Sequence, residues 1–138
     1  MLFEWSSSLR TGVDEIDEQH QELFRRAERL VRALEAGDRS GVEPVLRYLS
    51  DYVVSHFACE ERWMAETEYP GLAAHRDQHQ RFTDDFRAMV REYQRKGPTP
   101  LVALTVHEWL AEWLRRHIGR SDVELGRWLQ ARGVTLSP

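Results

Sequence analysis

Residues 72–93 read LAAHRDQHQRFTDDFRAMVREY and are the strongest indication of the fold. Apolar residues and two histidines recur there every three or four positions, the spacing of one α-helical face at about 100° per residue. The segment therefore predicts a helix with one buried face. His75 and His79 lie on that face, where a polar side chain costs free energy unless it has a partner. The complete face is Leu72, His75, His79, Phe82, Phe86, Val90 and Tyr93.

Three further segments show the same helical periodicity. One runs from residue 13 to about residue 35, and another from about residue 41 to about residue 67. The last begins after Thr99-Pro100, a capping residue followed by proline at the first helical position, and Gly119 is its expected end. A final apolar patch predicts a short closing helix: Val123, Leu125, Trp128 and Leu129.

Four amphipathic helices with short connections predict an all-α fold. The expected architecture is an up-down-up-down antiparallel four-helix bundle with an N-terminal loop and a short C-terminal helix. A length of 138 residues fits a single domain, residues 1–138, with a core of its own.

Composition excludes several classes of protein. The net charge of −4 leaves no basic field for nucleic acid or anionic lipid. No run approaches the roughly 20 apolar residues of a membrane span, and the first residues show no secretory signal. A single cysteine, Cys59, excludes an internal disulfide and fits a reducing compartment. We therefore expect a monomeric cytoplasmic protein that binds neither membranes nor nucleic acid.

Five of the six histidines and two carboxylates meet at one end of the predicted bundle. In an antiparallel bundle the start of one helix lies level with the end of its neighbour, so residues distant in sequence come together. His56 and Glu60, like His75 and His79, are four residues apart and share a helical face. The candidate metal ligands are His20, His56, Glu60, His75, His79, His117 and Asp122.

This set of ligands indicates a site for two metal ions. Imidazole and carboxylate without thiolate suit iron, manganese or zinc. Seven ligands are too many for one structural zinc, which takes four and usually prefers cysteine. They suit two six-coordinate ions that share bridging carboxylates.

The same residues carry a family resemblance that covers nearly the whole chain. The chain resembles bacterial single-domain hemerythrins. The resemblance implies that His75, His79 and His117 hold one iron and that His20 and His56 hold the other. Glu60 and Asp122 would bridge two iron ions (Fe²⁺/Fe³⁺), together with an oxo or hydroxo group. The motifs concerned are Trp5…Thr11-Gly12-Val13-Asp14-Glu15-Ile16-Asp17-Glu18-Gln19-His20, His56-Phe57-x-x-Glu60-Glu61, His75-x-x-x-His79 and Trp113-Leu114-x-x-His117-Ile118-x-x-x-Asp122.

The function implied by the resemblance is reversible dioxygen binding, as an oxygen carrier for storage or delivery and not as an enzyme. Its partners would be dioxygen and a physiological reductant or an oxygen-using acceptor. One iron would keep an open position that faces apolar side chains. Candidates for that lining are Phe24, Trp113, Leu114 and Ile118.

The main alternative is a di-iron enzyme or a sensor that handles oxygen, peroxide or nitric oxide. Oxygen-activating di-iron bundles use Glu-x-x-His motifs, and no histidine here has glutamate three residues before it. A sensor would be expected to carry an output domain, and a hemerythrin-type iron–sulfur repair protein an extra cysteine-containing segment. We therefore favour a binding protein.

Four other polar residues receive simpler interpretations. His107 lies off the predicted ligand face and is expected at the surface. Glu61 is expected to point away from Glu60 into solvent. Cys59 is interpreted as a small, partly buried filler. Asp17 is either an outer hydrogen-bond partner of a ligand histidine or a helix-capping residue.

Overall fold

Five α-helices make up most of the computed structural model, which describes residues 5–133. A 3₁₀ turn at Ser7–Leu9 precedes the first helix, and a π-helical segment at His117–Asp122 joins the last two. No strand occurs within the described range. The helices are α1 (Asp14–Glu35), α2 (Arg39–Glu66), α3 (Leu72–Lys96), α4 (Pro100–Arg116) and α5 (Val123–Ala131).

The helix ends follow the chemistry of the residues found there. The side chain of Asp38 accepts a hydrogen bond from the backbone N–H of Ser40 at the start of α2, and Thr99 does the same for Val102 at the start of α4. Gly97 ends α3 at φ +76°, a left-handed conformation that disfavours other residues. The predicted Thr99-Pro100 start of α4 is confirmed.

The bundle has the predicted architecture. α1 packs against α2 and α4, and α3 packs against the same two helices. The main core runs along the bundle, and a smaller core lies beneath α5, formed by Ile16, Trp63, Met64, Leu125 and Leu129. The all-α four-helix bundle and the short C-terminal helix are confirmed. None of the described helices is both long and apolar enough to cross a membrane.

The prediction that Gly119 ends the fourth helix is wrong. The chain continues through the π-helical segment into α5 without a break. In an α-helix, residues five apart point about 140° away from each other at about 100° per residue. The wider π turn brings His117 and Asp122 to the same side, with His117 Nε2 3.2 Å from Asp122 Oδ1.

The N-terminal loop is fastened to the ligand end of the bundle. Asp17 Oδ1 accepts hydrogen bonds from the backbone N–H (2.8 Å) and the hydroxyl (2.9 Å) of Thr11. The side chain of Gln130 in α5 donates to the carbonyl of Gly12 at 2.9 Å. Asp17 therefore anchors the loop instead of supporting a ligand histidine. α5 approaches so closely that a Cβ at Gly126 would collide with the carbonyl oxygen of Thr11.

Candidate metal centre

The structure brings all seven predicted ligands together at one end of the bundle. Each is at most 4% exposed, although every one is polar or charged. Their donor atoms form two groups that share the same two carboxylates, Glu60 and Asp122, hereafter the carboxylate pair. One group consists of His75, His79, His117 and the carboxylate pair, and the other of His20, His56 and the carboxylate pair.

Glu60 faces both groups, one oxygen to each. Its Oε2 lies 3.3 Å from Nε2 of His20 and 3.4 Å from Nε2 of His56. Its Oε1 lies 3.1 Å from Nε2 of His79 and 3.5 Å from Nε2 of His75. This division of the two oxygens is the arrangement required of a carboxylate that bridges two ions.

Asp122 divides its oxygens in the same way. Its Oδ2 lies 2.9 Å from Nε2 of His20, in one group. Its Oδ1 lies 2.8 Å from Nε2 of His75 and 3.2 Å from Nε2 of His117, in the other. Neither oxygen has a hydrogen bond of acceptable geometry among the described residues. The atoms converge as ligands around a common centre do, instead of bonding to one another.

Outer hydrogen bonds orient two of the histidines. Nδ1 of His56 lies 2.7 Å from Oε1 of Gln19, and Nδ1 of His117 lies 2.7 Å from Oε1 of Gln78. The hydroxyl of Ser121 also donates to Gln78 Oε1, at 2.6 Å. An amide oxygen only accepts, so Nδ1 carries the proton and the lone pair of each ring lies on Nε2, directed inward.

The expectation that Glu61 points into solvent is wrong. Glu61 is half-buried between α2 and α3, and its Oε2 accepts a hydrogen bond from Nδ1 of His79 at 3.0 Å. Its other oxygen accepts from Nε of Arg76 at 3.2 Å. The side chain of Glu61 does point away from that of Glu60, as expected. It points toward the neighbouring helix α3, where it meets His79.

The hydrogen bonds of the candidate ligands indicate that a metal ion fits between them. His79 and His117 both donate through Nδ1, so their Nε2 atoms carry lone pairs, and these lie 3.2 Å apart. Two lone pairs at that distance repel unless a cation lies beside them. Glu60 Oε1, both Asp122 oxygens and His75 Nε2 also lack hydrogen-bond partners within the described part of the chain. Buried polar atoms without partners are costly, so the donor set fits metal ions.

The electrostatics of the site show the same need for positive charge. Burial disfavours ionised carboxylates, but the surrounding histidines outweigh it and hold the pKa of Glu60 and of Asp122 well below the usual range. Burial lowers the pKa of His56 to about 4. At His20 and His75 burial acts in the same direction, but the carboxylate pair outweighs it and raises the pKa to about 9 and about 10. Two buried negative charges thus attract either protons or a metal.

Aromatic and aliphatic side chains cover the site. Trp113 stacks on His117 with ring centroids 4.4 Å apart, and Phe57 stacks on His79 at 3.8 Å. Trp113 and Leu114 help to line an apolar cavity of about 10 Å³, close to the smallest volume that holds a water-sized molecule.

The other two candidates for the lining lie elsewhere around the site. Phe24 packs edge-on against Trp5 at 5.6 Å, and the ring of Trp5 lies 6.4 Å from that of His20. Ile118 is buried in the main core.

The two remaining residues of interest lie outside both ligand groups. His107 was expected at the surface, and the structure places it in α4 with its side chain half-buried. Cys59 is half-buried and packs against the small core beneath α5, in agreement with its interpretation as a filler.

Comparison with known proteins identifies the family. Residues 11–129 match the model of the hemerythrin HHE cation binding domain. The chain belongs to the hemerythrin family. The bacteriohemerythrin of Stenotrophomonas maltophilia (strain R551-3) is 34% identical over 122 residues, which are 88% of this chain and 77% of that protein. The bacteriohemerythrin of Methylococcus capsulatus (strain ATCC 33009 / NCIMB 11132 / Bath) is 30% identical over 133 residues, 94% of this chain and 98% of that protein.

The similarity extends beyond bacteria and to solved structures. A hemerythrin-like protein of Naegleria gruberi is 30% identical over 88% of this chain and 89% of its own length. A crystal structure of wild-type hemerythrin superposes with a TM-score of 0.81 at 28% identity, over 92% of this chain and 97% of that chain. The resemblance to hemerythrins is confirmed, and the buried histidine and carboxylate cluster is suited to binding a metal centre.

Proposed function

We propose that the protein binds dioxygen reversibly at a non-heme di-iron centre and serves as an oxygen carrier, for storage or delivery. The observation that carries the proposal is the shared carboxylate pair. Each of its members presents one oxygen to a group with three histidines and the other to a group with two. Membership of the hemerythrin family supports iron and dioxygen as the ligands.

In this proposal the two groups hold unequal ions. His75, His79 and His117 would hold one iron, and His20 and His56 the other, with the carboxylate pair shared between them. With iron bound, the centre would supply electrons and a coordination position for dioxygen. The group with fewer histidines, His20 and His56, would have room for it.

The protein side chains control what reaches the open position. Phe24, Trp113, Leu114 and Ile118 are the proposed lining, because apolar groups exclude water and slow the loss of charged oxygen species. Gln19 fixes the ring of His56 by its 2.7 Å hydrogen bond, so this side chain would keep its orientation toward a bound metal.

A carrier fits the ligand set better than an oxygen-activating enzyme does. Five histidines and only two carboxylates make up the cluster, and no Glu-x-x-His motif is present. The same proposal includes a monomeric, single-domain protein in the cytoplasm, where its one cysteine remains reduced. A reductant or an oxygen-using acceptor would be its partner.

Optical spectroscopy with metal analysis tests this function. Protein produced with adequate iron is expected to contain two irons per chain and to show oxo-to-iron charge-transfer bands. After anaerobic reduction, exposure to oxygen should give a coloured adduct that disappears on degassing and returns over repeated cycles. One zinc per chain without visible absorption contradicts the di-iron centre. Multiple turnovers that consume oxygen and oxidise an added substrate contradict the carrier and support the enzyme.

A further inference from the structure

The outer partners of the ligand histidines differ in charge. His56 and His117 donate to the neutral amides of Gln19 and Gln78, whereas His79 donates to the carboxylate of Glu61. We propose that Glu61 is a positioning residue that acts through His79 to lower the reduction potential of the iron that His79 binds, and that Arg76 moderates this effect. The inference rests on the proposed di-iron function.

The geometry makes Arg76, Glu61 and His79 a continuous chain from the surface to the metal centre. One oxygen of Glu61 accepts from His79 at 3.0 Å and the other from Arg76 at 3.2 Å. The side chain of Glu61 is 27% exposed and that of Arg76 is 58% exposed. Water therefore screens the arginine more than the carboxylate, and the charge that His79 senses is negative.

A negative acceptor changes the ligand itself. Hydrogen bonds to an ionised acceptor are roughly twice as strong as neutral ones, so the Nδ1–H bond of His79 is more polarised than those of His56 and His117. Polarisation shifts electron density toward Nε2 and makes the ring a stronger donor to its metal. A stronger donor stabilises the ferric state more than the ferrous state, which lowers the reduction potential.

Phe57 allows charge to be separated from orientation. Its ring stacks on His79 at 3.8 Å with an interplanar angle of 6°. The imidazole therefore keeps its orientation when the carboxylate becomes an amide of the same shape. Glu61→Gln then removes the charge while it retains an acceptor for Nδ1–H.

The experiment measures the reduction potential of the iron-loaded protein by spectroelectrochemistry. Glu61→Gln should shift the potential to more positive values. Arg76→Gln removes the positive charge beside Glu61 and should shift the potential to more negative values. Glu92→Gln is the matched control, because it makes the same change about 20 Å along α3 from His79, on a side chain that is 40% exposed and paired with Lys96. It should leave the potential unchanged.

A second measurement does not depend on oxygen chemistry. Co²⁺ affinity by competition titration should fall about 10–100-fold in Glu61→Leu, which removes the acceptor altogether, and less in Glu61→Gln. Shifts of the same sign in Glu61→Gln and Arg76→Gln, or equal shifts in Glu61→Gln and Glu92→Gln, overturn the inference, as does unchanged Co²⁺ affinity in Glu61→Leu. Failure of wild-type protein to bind oxygen reversibly overturns the proposed function instead and leaves the Co²⁺ comparison valid.

Discussion

Replacement of His117 by alanine is the most informative change to the metal centre. His117 lies at the first position of the π-helical segment, and its Nε2 is one of the three imidazole donors of the larger group. The change removes that donor and also leaves Gln78 Oε1 with only the hydroxyl of Ser121. We expect iron content to fall well below two per chain and the iron-loaded protein to melt at a lower temperature.

The magnitude follows from linkage between binding and folding. Loss of an outer hydrogen-bond partner alone weakens metal binding by about 10–100-fold, so loss of a ligand should cost at least about 100-fold. A 100-fold loss of affinity removes about 2.7 kcal/mol of stabilisation by bound metal. In a domain of this size, 1 kcal/mol corresponds to about 4 °C, so the melting temperature should fall by about 10 °C.

His107→Ala is the control on the same helix. His107 is half-buried and lies outside both ligand groups, so its replacement should leave iron content and the visible spectrum at wild-type values. Iron assays and thermal melts on both variants, prepared in parallel, make the comparison. Equal iron loss in the two variants, or wild-type iron content in His117→Ala, would refute the assignment of His117 as a ligand.

Two substitutions and one series of pH values test the packing around the site and its charge balance. Gly126→Ala should destabilise the fold by about 1–3 kcal/mol in urea denaturation, because the new Cβ collides with the carbonyl of Thr11; wild-type stability would show that α5 moves freely away from the loop. Thr11→Val should lower the free energy of unfolding by about 1.5–3 kcal/mol in the same assay, because it removes the hydroxyl that donates to the Asp17 carboxylate. The iron content should not change. A lower iron content would show that the loop also supports the metal site. Metal-free protein should be most stable near pH 6.5, as thermal melts across pH can establish. Between about pH 6.5 and pH 4 the unfolded chain takes up a proton at His56 that the buried ring does not, so stability falls as pH falls across that range. The depressed pKa of each member of the carboxylate pair gives stability that is lost as pH falls below about 4, and the raised pKa values of His20 and His75 give stability that is lost as pH rises through about 9 and about 10. Constant stability from pH 4 to pH 10 would contradict this charge balance.

The helices were predictable because periodicity and end signals agree along most of the chain. The inward stripe of α3 places His75 and His79 among residues that are buried in the structure. The cap at Thr99 marks the start of α4 correctly. Topology then places the predicted ligands level with one another, since antiparallel neighbours alternate their starts and ends. Helical periodicity and helix caps depend only on residues that are neighbours in the sequence, so they can be recognised without the structure.

The outer partners were not predicted, because they belong to contacts between helices. Gln19 and Gln78 each stand one residue before a ligand, and Glu61 stands one residue after one. A step of one residue turns a side chain by about 100°, from the centre of the bundle to the flank that meets the neighbouring helix. Each of these residues accepts a hydrogen bond from a candidate ligand on another helical segment. The pairs are Gln19 with His56, Gln78 with His117, and Glu61 with His79. A half-buried amide or carboxylate next to a ligand is therefore the signal that finds them.

The π-helical segment could have been inferred from the ligand assignment itself. His117 and Asp122 are five residues apart, and two ligands of one ion must point in nearly the same direction. An α-helix separates them by about 140°, and a helix that ends at Gly119 leaves Asp122 beyond it. The two expectations, a cap at Gly119 and both residues as ligands, were therefore in conflict. A turn that spans five residues satisfies the ligand geometry without breaking the helix, and π segments occur mostly at functional sites. The spacing of the ligands, more than the glycine between them, determines the backbone at this end of the bundle.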